Sequence, residues 1–461
     1  MPAAAGKLAE GGCQPRVRGE VAVDLTIGAA GFGVLLVFIA LRVPIGVAML
    51  SVGTVGYFSI AGTTALLSYL KTEMYWKFTS NDLSVIPLFL MMGHFAARAG
   101  MTTALFRAAA AWIGHYRGGL AMAAVGGCAA FGTVSGSSLA TAAMMGQVAL
   151  PELRRYKYSG AFATGALAAG GTLGILIPPS IVLIIYAIIV EGNIVELFQA
   201  GFLPGLVATA GYVTAIAIVA RIDPSAGPAG PRAGRAERWA ALRQVWPVVL
   251  IFVVVMGGIY SGIFTPTEGA GVGATATFLV AVIYGGMRLQ GFLDALIETA
   301  ATSAMIFLIL LGADVFNAFL GFSQLPLRTA DFFQNSGLSP YAVLLGMVLL
   351  FLVFGCVMDS LAMILITIPI FWPIVAALDF GMNPDDLKIW FGIITLSVVE
   401  IGLITPPVGL NVFVINSLAK DVPMSDTFRG VVPFLVSDAV RVTLIILFPT
   451  ISLILPRLIG S

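Results

Sequence analysis

Asp359 lies within "FGCVMDSLAM" (354–363), inside an apolar stretch at 339–378, with Ser360 beside it. A carboxylate left unpaired in a bilayer costs about 3 kcal/mol or more, so an acid here signals chemistry or a paid-for structural pair. It could ligate a cation, take up a proton or pair structurally. A second such stretch, "FGTVSGSSLATAAM" (131–144), gathers Ser135, Gly136, Ser137 and Ser138. Serine hydroxyls and exposed carbonyls at a turn are hard oxygen ligands, the kind cations such as calcium and magnesium take. The structural alternative is helix packing through Gly132, Gly136 and Ala140, which accounts for the glycines but not for the serines.

Two further segments carry the same interruption. "GGTLGILIPPSIVLIIYA" (170–187) and "VEIGLITPPVGLNVFVIN" (399–416) each place a Pro-Pro pair mid-span, with glycine four residues before the first proline. Proline has no N–H to donate to the carbonyl four residues back. Pro178 and Pro179 therefore free the carbonyls of Gly174 and Ile175, and Pro406 and Pro407 those of Gly402 and Leu403. Unpaired carbonyls in hydrocarbon cost several kcal/mol each, so they need burial in protein or another partner. Proline also suits the first turn of a new helix. Each break thus offers carbonyls to a cation and a helix N-terminus to an anion; a simple packed kink is the structural alternative. Other acids in apolar surroundings are Glu268, Asp314 and Glu400. Glu268 follows Pro266 and reads as helix N-terminal stabilisation.

The elements that must hold these residues are membrane helices. The chain has 461 residues, 59% hydrophobic and 10% charged, against roughly 25% charged for a soluble domain. Apolar spans are expected at about 25–41, 45–62, 83–100, 160–190, 195–220, 245–264, 267–285, 293–322, 390–419 and 430–456. Two apolar stretches with a turn in the middle, at 120–152 and 339–378, read as re-entrant hairpins. The fold class expected is all-α and polytopic, with about ten transmembrane helices, two re-entrant hairpins and two broken helices. Three cysteines imply no disulfide framework. Two histidines exclude a three-imidazole site, no Walker A motif occurs, and no basic cluster suggests nucleic acid. Residues 1–24 read as a polar tail, having no apolar signal-peptide core.

Four matches in the same order indicate an internal duplication. "GILIPP" (174–179) aligns with "GLITPP" (402–407), and "GFLP" (201–204) with "GVVP" (430–433). "FLMMG" (89–93) resembles "LILLG" (308–312), and "RVPIGVAM" (42–49) resembles "FTPTEGAG" (264–271). The repeats are then 25–220 and 245–456, joined by a Pro/Gly/Arg-rich linker at 221–244. Five linker arginines place it in the cytoplasm by the positive-inside rule. With hairpins that return to their own side, each repeat crosses five times, and the second runs inverted to the first.

"GTVSGSSLAT", "GTLGILIPPS", "GIFTPTEGAGVGA" and "GLITPPVGLNVFV", in this order, resemble the large membrane subunit of tripartite ATP-independent periplasmic (TRAP) transporters. The likeness covers about residues 25–456. The resemblance implies a non-enzymatic, sodium-driven elevator importer of organic acids, such as C4-dicarboxylates or sialic acids, in a bacterial inner membrane. It implies two partners, a small four-helix membrane subunit and a periplasmic substrate-binding protein. Carried over, one sodium site would lie between the tip at Ser135, Gly136, Ser137 and Ser138 and the break at Gly171, Thr172, Gly174 and Pro178. The other would lie between Met358, Asp359 and Ser360 and the break at Gly402, Thr405 and Pro406. Ser180, Gly409 and Asn411 are expected near substrate. The alternative is a self-sufficient divalent-anion/sodium symporter or arsenite-type carrier of the same fold. A serine hydrolase built on Ser135 or Ser137 finds no histidine assigned to it by the sequence.

Overall fold

A backbone inside hydrocarbon must satisfy its own hydrogen bonds, which favours helices. The computed structural model describes residues 20–459, and among these every regular element is helical. The N-terminal part comprises α1 (Glu20–Ala40), α2 (Ile45–Phe78), α3 (Val85–Arg98), α4 (Met101–Ile113), α5 (Gly119–Ser135), α6 (Ser138–Arg155), α7 (Gly160–Leu176), α8 (Ile181–Val190) and α9 (Ile194–Ile222). The C-terminal part comprises α10 (Arg235–Gln244), α11 (Trp246–Tyr260), α12 (Pro266–Ile283), α13 (Leu289–Phe322), α14 (Leu325–Asn335), α15 (Pro340–Gly355), α16 (Ser360–Ala377), α17 (Pro384–Gly402), α18 (Leu410–Leu418), α19 (Met424–Leu447) and α20 (Thr450–Ile459).

Six of these helices are long and apolar enough to cross a membrane, or up to nine spans if each bent pair counts as one. Most of the tail expectation, 1–19, lies outside the described residues, whereas residues 20–24 belong to α1. The span expected at 45–62 runs on to Phe78, with a kink at Gly62. α7 and α8 meet at 45° across the first Pro-Pro pair. Both Pro-Pro peptide bonds, 178–179 and 406–407, are cis.

The linker is more ordered than its composition suggests. Gly118 donates its N–H to Gly227 O at 2.8 Å, Ser159 to Ala226 O at 3.0 Å, and Gly230 to Gly114 O at 2.9 Å. Asp223 caps this strap, and the Ser225 hydroxyl and N–H hold its carboxyl below the usual carboxylate range. Residues 235–244, "RAERWAALRQ", are mostly strong helix formers. They form α10, which lies on α4 with Trp239 set edge-on to Trp112.

Packing relies on small residues, as expected where lipid gives helices no hydrophobic drive to associate. α2 packs along α13, and α3 along α12. A Cβ on Gly46 would stand 3.0 Å from the backbone of Leu308 and Ile309, so α2 and α13 meet backbone to backbone. Tyr69 on α2 donates to Asp314 Oδ2 on α13 at 2.8 Å. Glu268 closes a capping box with Thr265 at the start of α12. α5 and α6 pack against α7, and α15 and α16 against α17. Each hairpin thereby lies against a broken helix.

Candidate functional site

Each hairpin turns where its sequence permits. α5 ends at Ser135, Gly136 adopts φ 59°, and Ser137 is extended before α6 begins. Positive φ is open to glycine at little cost. Ser135 Oγ lies 2.7 Å from Thr141 Oγ1, and Ser137 accepts the N–H of Ala140 at 3.4 Å. In the second hairpin Met358 is buried and Asp359 is the N-cap of α16, with no side-chain cap hydrogen bond.

Glycine lets each tip touch its break. A Cβ on Gly132 would stand 2.6 Å from Gly174 Cα, and one on Gly402 would stand 2.5 Å from Gly355 Cα. A Cβ on Gly174 would meet Thr141 Oγ1 at 2.5 Å and Ser137 O at 2.9 Å. The hydroxyls of the first tip and the backbone of the first break therefore share one small volume.

The two breaks differ in what they leave unpaired. At the first, four residues separate α7 from α8. Among the described residues no N–H reaches the carbonyl of Gly174 or Ile175. At the second, seven residues separate α17 from α18. There Gly402 O accepts from Thr405 at 3.1 Å and Leu403 O from Asn411 at 3.0 Å. The expectation that all four carbonyls are stranded is corrected: the longer second break folds back far enough to recover its own acceptors.

Other expected site residues have structural duties. Thr172 turns away from the tip, donating to Ala169 O at 2.7 Å and meeting Tyr212 OH at 3.0 Å. Thr405 donates to Ile401 O at 2.6 Å, and Gly171 faces Ala142 and the Asn411 amide. Pro178 packs against Gly201 of α9. Ser180 caps α8, accepting from Leu183 at 3.3 Å. Gly409 donates to Cys356 O at 3.3 Å, which ties the second break to its hairpin. Asn411 is fully buried and donates to Ala168 O at 3.3 Å, while its Oδ1 meets no donor among the described residues.

A cavity of about 310 Å³ opens between the tips and the long helices. Ser135 to Ser138, Asp359 and Ser360 line it, with His94 of α3 and Thr302 of α13 opposite. Ser180, Gly409 and Asn411 are not among its lining residues. His94 Nδ1 pairs with Glu298 at 3.2 Å, beside Arg98 at 2.8 Å from the same carboxylate. No hydrogen bond joins His94 to a tip serine among the described residues.

Glu400 was absent from the expected ligand set. It is 1% exposed on α17, and its carboxylate accepts from Ser360 Oγ at 3.0 Å and from Ser138 Oγ. One side chain therefore joins both tips. Nearby, Tyr212 donates to Asp438 Oδ2 at 2.7 Å, and Asp438 pairs with Arg441 at 3.0 Å. With Thr172 this forms a buried polar chain across α7, α9 and α19. Among the described residues no three His, Cys, Asp or Glu side chains gather to hold a metal. The ligands on offer are hydroxyl and carbonyl oxygens, which suit a hard cation.

Paired hairpins and broken helices around a central cavity form the architecture of a secondary transporter. The "Tripartite ATP-independent periplasmic transporter, DctM component" family matches residues 32–451, and the chain belongs to that family. It is 41% identical over 379 residues to the C4-dicarboxylate TRAP transporter large permease protein DctM of Pseudomonas aeruginosa, covering 82% of this chain and 87% of that one. It is 33% identical to the sialic acid TRAP transporter large permease protein SiaM of Vibrio cholerae, covering 90% and 95%. It is 31% identical to the ectoine TRAP transporter large permease protein TeaC of Halomonas elongata, covering 93% and 97%. The Alcanivorax borkumensis YdaH transporter shares the fold, with a TM-score of 0.56 at 15% identity over 86% of this chain and 90% of that one. The protein is thus a multi-pass inner-membrane transporter component and not an enzyme.

Proposed function

We propose that this large permease subunit imports an organic acid by sodium symport, taking it from a periplasmic binding protein and working with a small four-helix membrane subunit. The observation that carries the sodium reading is the first break. Two carbonyls without N–H partners lie in a segment packed against a tip bearing Ser135, Ser137 and Thr141. Such oxygens match a cation better than a proton, which needs a titrating group. A second sodium site is assigned to Met358, Asp359 and Ser360 with the break at Gly402, Thr405 and Pro406.

The inverted repeat and the elevator mechanism rest on paired packing. α2 on α13 and α3 on α12 are matched contacts between the parts, and the Gly132–Gly174 and Gly355–Gly402 crossings are matched contacts within each part. In this reading α2, α3, α12 and α13 form the fixed frame, and the hairpins with the broken helices travel against it. The cavity of about 310 Å³ lies at the small end of ligand pockets, roughly 300–1,000 Å³. Together with the similarity to a C4-dicarboxylate permease, this favours a C4-dicarboxylate over a sialic acid. Membership of a tripartite family disfavours the self-sufficient carrier.

The test is uptake of labelled C4-dicarboxylates and sialic acid into proteoliposomes holding both membrane subunits, with binding protein outside. Uptake should require an inward sodium gradient and the binding protein. Uptake driven by a pH gradient in sodium-free buffer would refute sodium coupling and make Asp359 a proton carrier.

A further inference from the structure

Glu400 is buried one turn of chain from the second break, yet it belongs to neither proposed ion site. Its carboxylate receives Ser138 Oγ, the first residue of α6, and Ser360 Oγ, the first residue of α16. Both serines are themselves buried. We propose that Glu400 couples the two hairpin tips, so that ordering one tip by a cation favours ordering of the other.

The physical argument starts from the buried acceptor. A carboxylate that loses a hydrogen bond away from water is left short of a donor, and the buried Arg441 guanidinium acts on its charge without replacing that donor. Movement of either tip strands half of Glu400, and the strain is least when both tips are seated. A cation that seats the first tip against α7 therefore fixes Glu400 in the position the second tip needs. This is cooperativity carried by shared order, and it runs equally in both directions. The frame supports the role: Glu400 lies on α17, whose neighbouring Ser397 carbonyl receives the buried Arg441 guanidinium at 3.5 Å. The tether is thus anchored to the body that carries both breaks, and it can register the seating of either tip.

The inference rests on the sodium-coupled reading above, and the test separates the two. Hydrogen exchange of the full chain in detergent is followed at segments 132–142 and 354–364, with sodium chloride titrated against potassium chloride at constant ionic strength. In the unsubstituted protein both segments should gain protection at one shared midpoint, with a Hill coefficient of about 2. In Glu400→Ala the midpoints should separate and each coefficient fall to about 1. Glu400→Gln keeps an oxygen for one serine and an amide for the other, and should retain the shared midpoint. Ser138→Ala cuts a single arm but also removes an oxygen of the first tip, so it is read at segment 354–364, whose coefficient should fall to about 1 as well; it covers the case in which Glu400→Ala does not fold. A coefficient that stays at about 2 at segment 354–364 in both alanine variants overturns the tether. Glu400→Gln behaving like Glu400→Ala also overturns it, because the charge rather than the bridge then matters. Sodium leaving both segments unprotected in the unsubstituted protein refutes the sodium reading itself.

Discussion

Asp359 and Glu400 are both acids in apolar helices, and the structure gives them different surroundings. Glu400 has two serine hydroxyls, whereas Asp359 lines the cavity at the N-cap of α16, where the N–H groups of Leu361 and Ala362 face its carboxylate. A carboxylate that faces a cavity and is engaged by backbone N–H groups alone can still serve a cation. Asp359→Asn should fold and insert, yet require several-fold more sodium for half-maximal uptake, at about 1.4 kcal/mol of lost binding per tenfold. An unchanged sodium dependence would leave it only a structural role. Gly132 tests the close approach. An added methyl would overlap the Gly174 backbone, and overpacking of this kind costs about 1–3 kcal/mol. Gly132→Ala should therefore melt at a lower temperature, whereas Gly33→Ala, with nothing within 4 Å of its Cβ position, should not. Glu400 shows what the sequence leaves unread at this scale. Its serine partners are 262 and 40 residues away, and only the fold brings them together. One signal was present, because Glu400 stands two residues before Gly402, the place Thr172 holds before Gly174.

The broken helices were legible because proline chemistry is local. A missing N–H and a crowded carbonyl follow from two residues and need no tertiary knowledge. The hairpins were legible for the same reason, since serine and glycine between short apolar arms mark a turn. What escaped was rotation about the helix axis, which packing decides. Thr172 points to Tyr212 instead of the tip, and Asn411 reaches across to Ala168. Break length is not legible in the sequence either, and it is what lets the second break recover its carbonyls. The helix formers of α10 follow directly on the Pro and Gly of 224–234, whose composition by itself reads as a linker. The difference between the breaks yields a graded prediction. Replacing Pro178 and Pro179 by Ala-Ala would return N–H donors to Gly174 and Ile175, whose carbonyls lack them. Alanine gains about 3 kcal/mol per residue over proline inside a helix, so stability without sodium should hold or rise. Stabilisation by sodium grows with the ratio of ion concentration to dissociation constant and should shrink sharply. The same change at Pro406 and Pro407 should reduce it less, because Gly402 and Leu403 already have donors. Melting temperatures in sodium and in potassium chloride check both. Equal losses at the two breaks would contradict the asymmetry.

Across the whole molecule, the hairpins and broken helices meet the long helices around one cavity. α2 meets α13 backbone to backbone, and α3 packs along α12 with Met92 against Gly273, contacts suited to a rigid frame. The strap at 223–230 and α10 tie the parts together at one end. On the proposed elevator reading, tip order would decide when the cavity-bearing body moves against this frame, linking ion binding to solute passage. The central claim is that both tip-and-break pairs hold sodium during import. Counting labelled sodium and labelled solute entering the same proteoliposomes, with both subunits and the binding protein present, tests it most directly. Two sites of this kind predict about two or more sodium ions entering with each solute. Solute accumulation with no accompanying sodium flux would contradict the account.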